Sequence, residues 1–234
     1  ALAQMLGTNT MLHTLAVGSN PLGNLGVSNL ATSLEANTTL TSLEIGGVDL
    51  TVAGLRALTG ALELNTPLAV LRLPRNDFGE DDPVRGLGLV SLLVLGQGRH
   101  VVDLEACELR AGGMSQLGEA LAASALRELR LSRNDELDDA ALLGLLFGMA
   151  RCSSLEAITL DHTGITDAGA EGLREVVLAN PTLCRISVVG TGVSLGSRAL
   201  LEAHLAANRL YGGRWTKESH ATFPAEFKAV TVAL

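Results

Sequence analysis

The stretch Leu30-Ala-Thr-Ser-Leu34-Glu-Ala-Asn37-Thr-Thr-Leu40-Thr-Ser-Leu43-Glu-Ile45-Gly-Gly-Val48-Asp-Leu50 carries two different periods in one run. Leu30 and Leu34, four apart, keep one face of a helix apolar, whereas Leu43 and Ile45, two apart, read as a strand with one buried side. The same text occurs again. Leu2-Ala-Gln-Met-Leu6-Gly-Thr-Asn9-Thr-Met-Leu12 precedes it by 28 residues, and Asn65-Thr-Pro-Leu68 follows Asn37 by another 28. Self-similarity at a fixed period of this size is the mark of a stacked repeat.

Working outward, the pattern L-x-x-L-x-L-x-x-(N/C/T)-x-L recurs along the chain. It is carried by Leu12, Leu15, Val17, Asn20, Leu22; by Leu40, Leu43, Ile45, Val48, Leu50; and by Leu68, Leu71, Leu73, Asn76, Phe78. A fourth unit, with Val102, Leu104, Cys107 and Leu109, has Arg99 where the first Leu belongs. The fifth has Leu126, Leu129, Leu131, Asn134 and, one residue late, Leu137. Leu155, Ile158, Leu160, Thr163, Ile165 and Leu183, Ile186, Val188, Thr191, Val193 complete seven units. Between them the spacing becomes helical: Gly26, Leu30, Leu34; Gly54, Leu58, Leu62; Gly113, Leu117, Leu121; Gly169, Leu173, Val177. Helix ends are expected at Asn37, Asn65, Asn180 and Asn208, a residue type that tolerates the left-handed conformation, with Pro67 and Pro181 close behind.

These units resemble leucine-rich repeats of the ribonuclease-inhibitor-like class. The run Asn37-Thr-Thr-Leu-Thr-Ser-Leu-Glu-Ile45 is similar to repeats of the NOD-like receptor group and its protist and algal relatives. The resemblance covers residues 1–210 and implies an α/β right-handed solenoid or horseshoe, with parallel strands on the concave face and helices on the convex face. Residues 211–234 are left as a C-terminal cap or tail. On function the resemblance is broad, since the family includes enzyme inhibitors, immune receptors, GTPase activators, actin-pointed-end proteins and axonemal components.

One strand-helix unit cannot cover its own leucine stripe, so neighbours must, and stability resides in the stack. The position held by Asn20, Asn76, Cys107, Asn134, Thr163 and Thr191 turns inward where the strand leaves the sheet, and its side chain can satisfy unpaired backbone groups. Val48 has no such side chain, which makes the second repeat an expected soft point.

Composition agrees. Hydrophobic residues are 47% of the 234 and aromatic ones 3%, so Leu, Val and Ala carry the core and a disordered chain is excluded. Lys and Arg number 17 against 25 Asp and Glu, a net charge of -8. No global field then attracts a phosphate backbone, and nucleic acid is not an expected partner. The longest apolar stretch, Leu87 to Leu95, is about half of a membrane span, so no membrane partner is expected either. Cys107, Cys152 and Cys184 are odd in number and far apart, which suggests neither a disulfide framework nor a thiolate metal site and fits a reducing, cytoplasmic compartment.

The phosphate-loop, H-E-x-x-H and G-x-S-x-G motifs are all missing from the sequence, and its histidines fall in different repeats without ligand spacing. A non-enzymatic chain with no cofactor and no metal is expected. Function must then lie on a surface. Alternation points the residues between the buried strand positions onto the concave face. The charged ones concentrate in the third to sixth repeats, and Arg72, Arg75, Asp103, Glu105, Arg130, Arg133, Asp161 and His162 are the candidate partner-binding residues.

Parallel strands about 4.8 Å apart would set Glu44, Arg72, Asp103 and Arg130 side by side, alternating in sign. Two readings stand at this level. One is a self-neutralising ladder of surface pairs, each worth about 0–1 kcal/mol. The other is a polar recognition surface for a protein partner, with arginines held by acidic neighbours. The expected role is protein-protein interaction or scaffolding, with cytoskeletal or axonemal association in view. The alternative is a GTPase-activating regulator of the Ran type, although its acidic tail has no counterpart after Lys217.

The third unit, 31 residues from Leu68 to Arg99, opens its helix at Asp81-Asp82-Pro83 and continues unusually apolar. Either that helix packs more deeply than its neighbours or it meets a partner on the convex side. Residue 1 falls inside a helix, as expected of an excerpt of a longer chain. Trp215, Phe223 and Phe227, with the alternating Val230, Val232 and Leu234, make the tail a candidate cover for the seventh repeat.

Overall fold

Seven three-residue strands follow one another along the chain: β1 (Thr14–Ala16), β2 (Ser42–Glu44), β3 (Val70–Arg72), β4 (Val101–Asp103), β5 (Glu128–Arg130), β6 (Ala157–Thr159) and β7 (Arg185–Ser187). The computed structural model that shows them describes residues 1–211 apart from 66, 80–82 and 97. The expected helix start at Asp81-Asp82 and the expected cap at 212–234 lie outside the described residues. All seven strands join one parallel sheet in sequence order. The register never slips: Leu15, Leu43, Leu71, Val102, Leu129, Ile158 and Ile186 stand side by side.

Helices alternate with the strands: α1 (Leu2–Thr8), α2 (Gly23–Ala36), α3 (Val52–Leu64), α4 (Pro83–Leu95), α5 (Met114–Ala123), α6 (Asp139–Arg151), α7 (Asp167–Ala179) and α8 (Leu195–Tyr211). Their apolar stripes meet the inward strand residues in one continuous core, with Leu30, Leu34, Leu58, Leu62, Leu117, Leu121, Leu173 and Val177 all buried. α5 and α6 approach most closely. A Cβ on Gly148 would lie 1.9 Å from the Gly118 carbonyl oxygen, so only glycine fits that crossing. In α4, Leu87, Val90, Leu93 and Val94 are buried while Leu92 and Leu95 remain exposed. The wide apolar stripe of that helix is therefore spent mostly inward.

Many polar groups inside the stack are satisfied between repeats, which corrects two expectations. Asn37, Asn65 and Asn180 do follow helices, but their backbone is extended, with φ of -79°, -90° and -116°, not left-handed. Their side chains work instead. Asn37 Nδ2 donates to Leu6 O at 2.8 Å, Asn65 Nδ2 to Leu34 O at 2.8 Å and Asn180 Nδ2 to Met149 O at 2.7 Å. Each thereby holds a carbonyl in the last turn of the preceding repeat's helix. Asn208 makes the same contacts, to Val177 and Asn180, from within α8, which runs on to Tyr211.

Val48 is not a soft point either. Asn76 of the next repeat accepts from the Val48 and Leu50 amides at 3.2 and 3.1 Å and donates to Ile45 O at 2.9 Å. Asn134 does the same for the amides of Cys107 and Leu109, both at 3.0 Å. In the second and fourth repeats the duty belongs to the neighbour's asparagine.

Arg99 is the irregular member. It stands where Leu40 and Leu68 stand in the preceding units, is 1% exposed, and its Nη2 donates to Leu62 O at 3.0 Å. That carbonyl corresponds to the ones Asn37 and Asn65 hold elsewhere. Burial pushes the guanidinium down to about 10.

Candidate partner-binding surface

Each strand ends in a sharp turn whose geometry repeats. Ser19, Gly47, Arg75, Ala106, Arg133, His162 and Gly190 occupy the same place in successive units, and all have φ between 53° and 70°. Left-handed backbone disfavours a branched or bulky side chain, at a cost of order 1 kcal/mol for a non-glycine residue. Three of the candidate residues, Arg75, Arg133 and His162, nevertheless sit there, exposed. A Cβ on Gly190 would fall 2.3 Å from Nδ1 of His162, so the glycine leaves room for the imidazole.

The central column forms as its spacing requires: Glu44, Arg72, Asp103 and Arg130 are consecutive partners across β2 to β5. Its charges do not all pair. Arg130 meets Asp103 at 3.6 Å and Glu128, on its own strand, at 2.6 Å. Burial alone would lower the Arg130 pKa, but the hydrogen bond to Glu128 and the charges of Glu128, Asp103 and Glu105 carry it upward. Among the described residues, neither Arg72 nor Arg75 takes part in an ion pair.

Asp103 is 5% exposed, and its Oδ1 accepts from the Glu105 amide at 3.1 Å. It lies beneath the surface as a support for Arg130. Arg133 reaches back to Glu105 at 3.0 Å with both side chains well exposed. Asp161 is committed to the next turn, accepting from Ser187 Oγ at 2.5 Å and the Val189 amide at 2.7 Å. The structure thus gathers Asp103, Glu105, Arg130 and Arg133 into one charged group on β4, β5 and the turns that follow them. Arg72 on β3 and Arg75 in the turn after it stand beside this group, and Asp161 and His162 stand apart in the turn after β6.

Glu128 is missing from the sequence-derived set, yet it is central. It holds Arg130 and, across the small side chain of Ala157, reaches Arg185 at 3.9 Å. The available signal was the column Glu128, Ala157, Arg185, in which a small residue separates opposite charges two strands apart. Arg127 and Glu156 add a further exposed pair at 3.5 Å. Beside these residues opens a cavity of about 300 Å³ lined in part by Glu128, Thr159, Arg185 and Glu202. Among the described residues no cluster of His, Cys, Asp or Glu could hold a metal, and no helix is long and apolar enough to cross a membrane.

A family model described as Leucine Rich repeat matches residues 8–31, 36–58 and 151–173, three of the units whose strands pair in series in the sheet. The fold is a leucine-rich-repeat solenoid. No curated protein matches the chain in sequence. Among solved structures, that of leiomodin-1 actin-binding site 2 (ABS2) is similar over 90% of this chain and 88% of that chain, at 11% identity and a TM-score of 0.35. In this solenoid the third to fifth repeats, which with the seventh lie outside the matched segments, carry most of the charged concave group.

Proposed function

We propose that this leucine-rich-repeat chain is a non-catalytic interaction module whose concave face, in the third to sixth repeats, receives a protein partner. One observation carries the reading: Arg130 and Arg133 are held in place by Asp103, Glu128 and Glu105 while their guanidinium groups stay at the surface. Arginines already ordered by neighbours lose little side-chain freedom on binding and present a fixed donor array, a favourable start for an interface anchor. Leucine-rich repeats generally mediate protein-protein contacts, and the repeat length near 28 residues supports the ribonuclease-inhibitor-like subclass. Three free thiols, two of them buried, suit an intracellular, reducing location.

Charge reversal separates this surface from the rest. Proteins retained by the wild-type chain from a lysate of its source cells should be lost by Arg130→Glu/Arg133→Glu and kept by Arg56→Glu/Arg174→Glu on the outer helices. The expected weakening for an anchoring arginine is about 2 kcal/mol or more, roughly 30-fold in affinity. Equal losses from both double variants, or none from either, would remove the concave face from consideration.

A further inference from the structure

The last repeat leaves the sheet open. In the six repeats before it, two amides at the end of each strand donate to the next unit, as Leu160 N does to Ser187 O and His162 N to Val189 O, both at 2.8 Å. Their counterparts in the seventh repeat, the amides of Val188 and Gly190, have no partner among the described residues. Part of the edge is already closed by α8. Arg209 Nη1 donates to Cys184 O at 2.8 Å and its guanidinium pairs with Glu202. It takes the carbonyl whose counterpart, Glu156 O, accepts the Cys184 and Arg185 amides at 2.9 and 3.1 Å. Beside the remaining donors lies a cavity of about 170 Å³ lined by Ile186, Val188, Leu201 and Leu205 among others. A space of about 150 Å³ accepts a benzene-sized ring.

A further unit of the same pattern cannot simply continue from here. Aligning Asn208 with Asn180 puts Arg214 at the position of Ile186, which points into the core in every preceding strand. An open parallel edge over an apolar cavity is also a site of unwanted pairing unless something covers it. We propose that residues 212–234 of the same chain provide that cover. Val230, Val232 and Leu234 extend the sheet beside β7, their alternation matching one buried face, and a ring from Trp215, Phe223 or Phe227 enters the cavity.

The chain leaves the described structure at Tyr211, on the helix that lines this end. The 18 residues between Tyr211 and Val230 span up to about 60 Å when extended, ample to return to β7. Tethering favours a segment of this chain over a separate molecule, because its effective concentration is of millimolar order.

Hydrogen exchange at Val188 and Gly190 reads the cover directly. In the full 234-residue chain both amides should exchange roughly tenfold or more slowly than in Val230→Asp/Val232→Asp. Protection in the first six repeats should be the same in both, because the substitutions lie outside them. Equal exchange of the two amides in both chains would overturn the proposal. Sedimentation across a range of concentrations separates the remaining occupant: protection that vanishes on dilution, as a dimer dissociates, would assign the edge to a second copy and also overturn the intrachain cover. Concentration-independent protection in a monomer is the expected result. None of these outcomes depends on whether the concave face binds a partner.

Discussion

Arg133 and Asn134 are neighbours in sequence and opposites in consequence. Asn134 is fully buried and serves two amides and three carbonyls of two repeats. Arg133 is exposed, held in left-handed backbone, and among the described residues pairs only with Glu105. The same split runs through the stack. The inward position holds Asn, Cys, Thr or Val, and what the second repeat lacks at Val48 is supplied by Asn76. The rim position before it holds Ser, Gly, Arg, Ala or His with no consequence for the core. Adjacent columns thus divide the work, one setting the shape and the other free to vary.

The largest expected effect lies on the inward side. Asn76→Ala leaves the amides of Val48 and Leu50 and the carbonyl of Ile45 without partners, and leaves the Leu73 carbonyl to the Cys107 thiol; it should cost about 2–4 kcal/mol in urea unfolding. Asn20→Ala, at the exposed first repeat, should cost less than about 1 kcal/mol. Similar losses at both sites would break the division.

An intermediate effect concerns Cys107. Burial, with smaller contributions from Asp103 and Glu108, pushes its thiol up from 9.0 to about 12. The folded state then keeps the proton at a pH where the unfolded chain releases it, so stability falls as pH rises above 9. Between pH 8 and pH 10 this one group should remove about 1.4 kcal/mol. Cys107→Ala should flatten that slope in denaturant melts recorded across the window, and an unchanged slope would show that the thiol is not linked to folding.

The smallest effect belongs to the rim. Arg133→Met should change stability by less than about 1 kcal/mol, and less still at high salt. A larger, salt-independent loss would make the concave charges part of the scaffold and blur the contrast from which the proposed binding role follows.

The repeat, its strand-helix alternation and the cross-strand column Glu44, Arg72, Asp103, Arg130 were legible in the sequence, because a fixed period forces equivalent positions into register. The partners of those side chains were not. Glu128 reaches Arg185 two strands away only because Ala157 is small, and Asp161 is drawn off by Ser187 and Val189. Such choices depend on side-chain length and on competition among several neighbours within reach, which one-dimensional spacing does not rank.

Period and hydrophobic pattern alone determined that this chain stacks seven strand-helix units into one parallel sheet, since each unit's leucine stripe has no other cover. Only the tertiary structure decided how that stack meets its polar requirements. The helix-ending asparagines hold the preceding helix with their side-chain amides and turn the chain by accepting the amides that follow, not through a left-handed backbone. Asn76 serves a repeat that has none, and a buried Arg99 takes a carbonyl that asparagine takes elsewhere. The physical reason is reach: burial of an apolar face is settled by the periodicity of each unit, whereas a buried hydrogen bond is settled by which atom of the next unit arrives within about 3 Å.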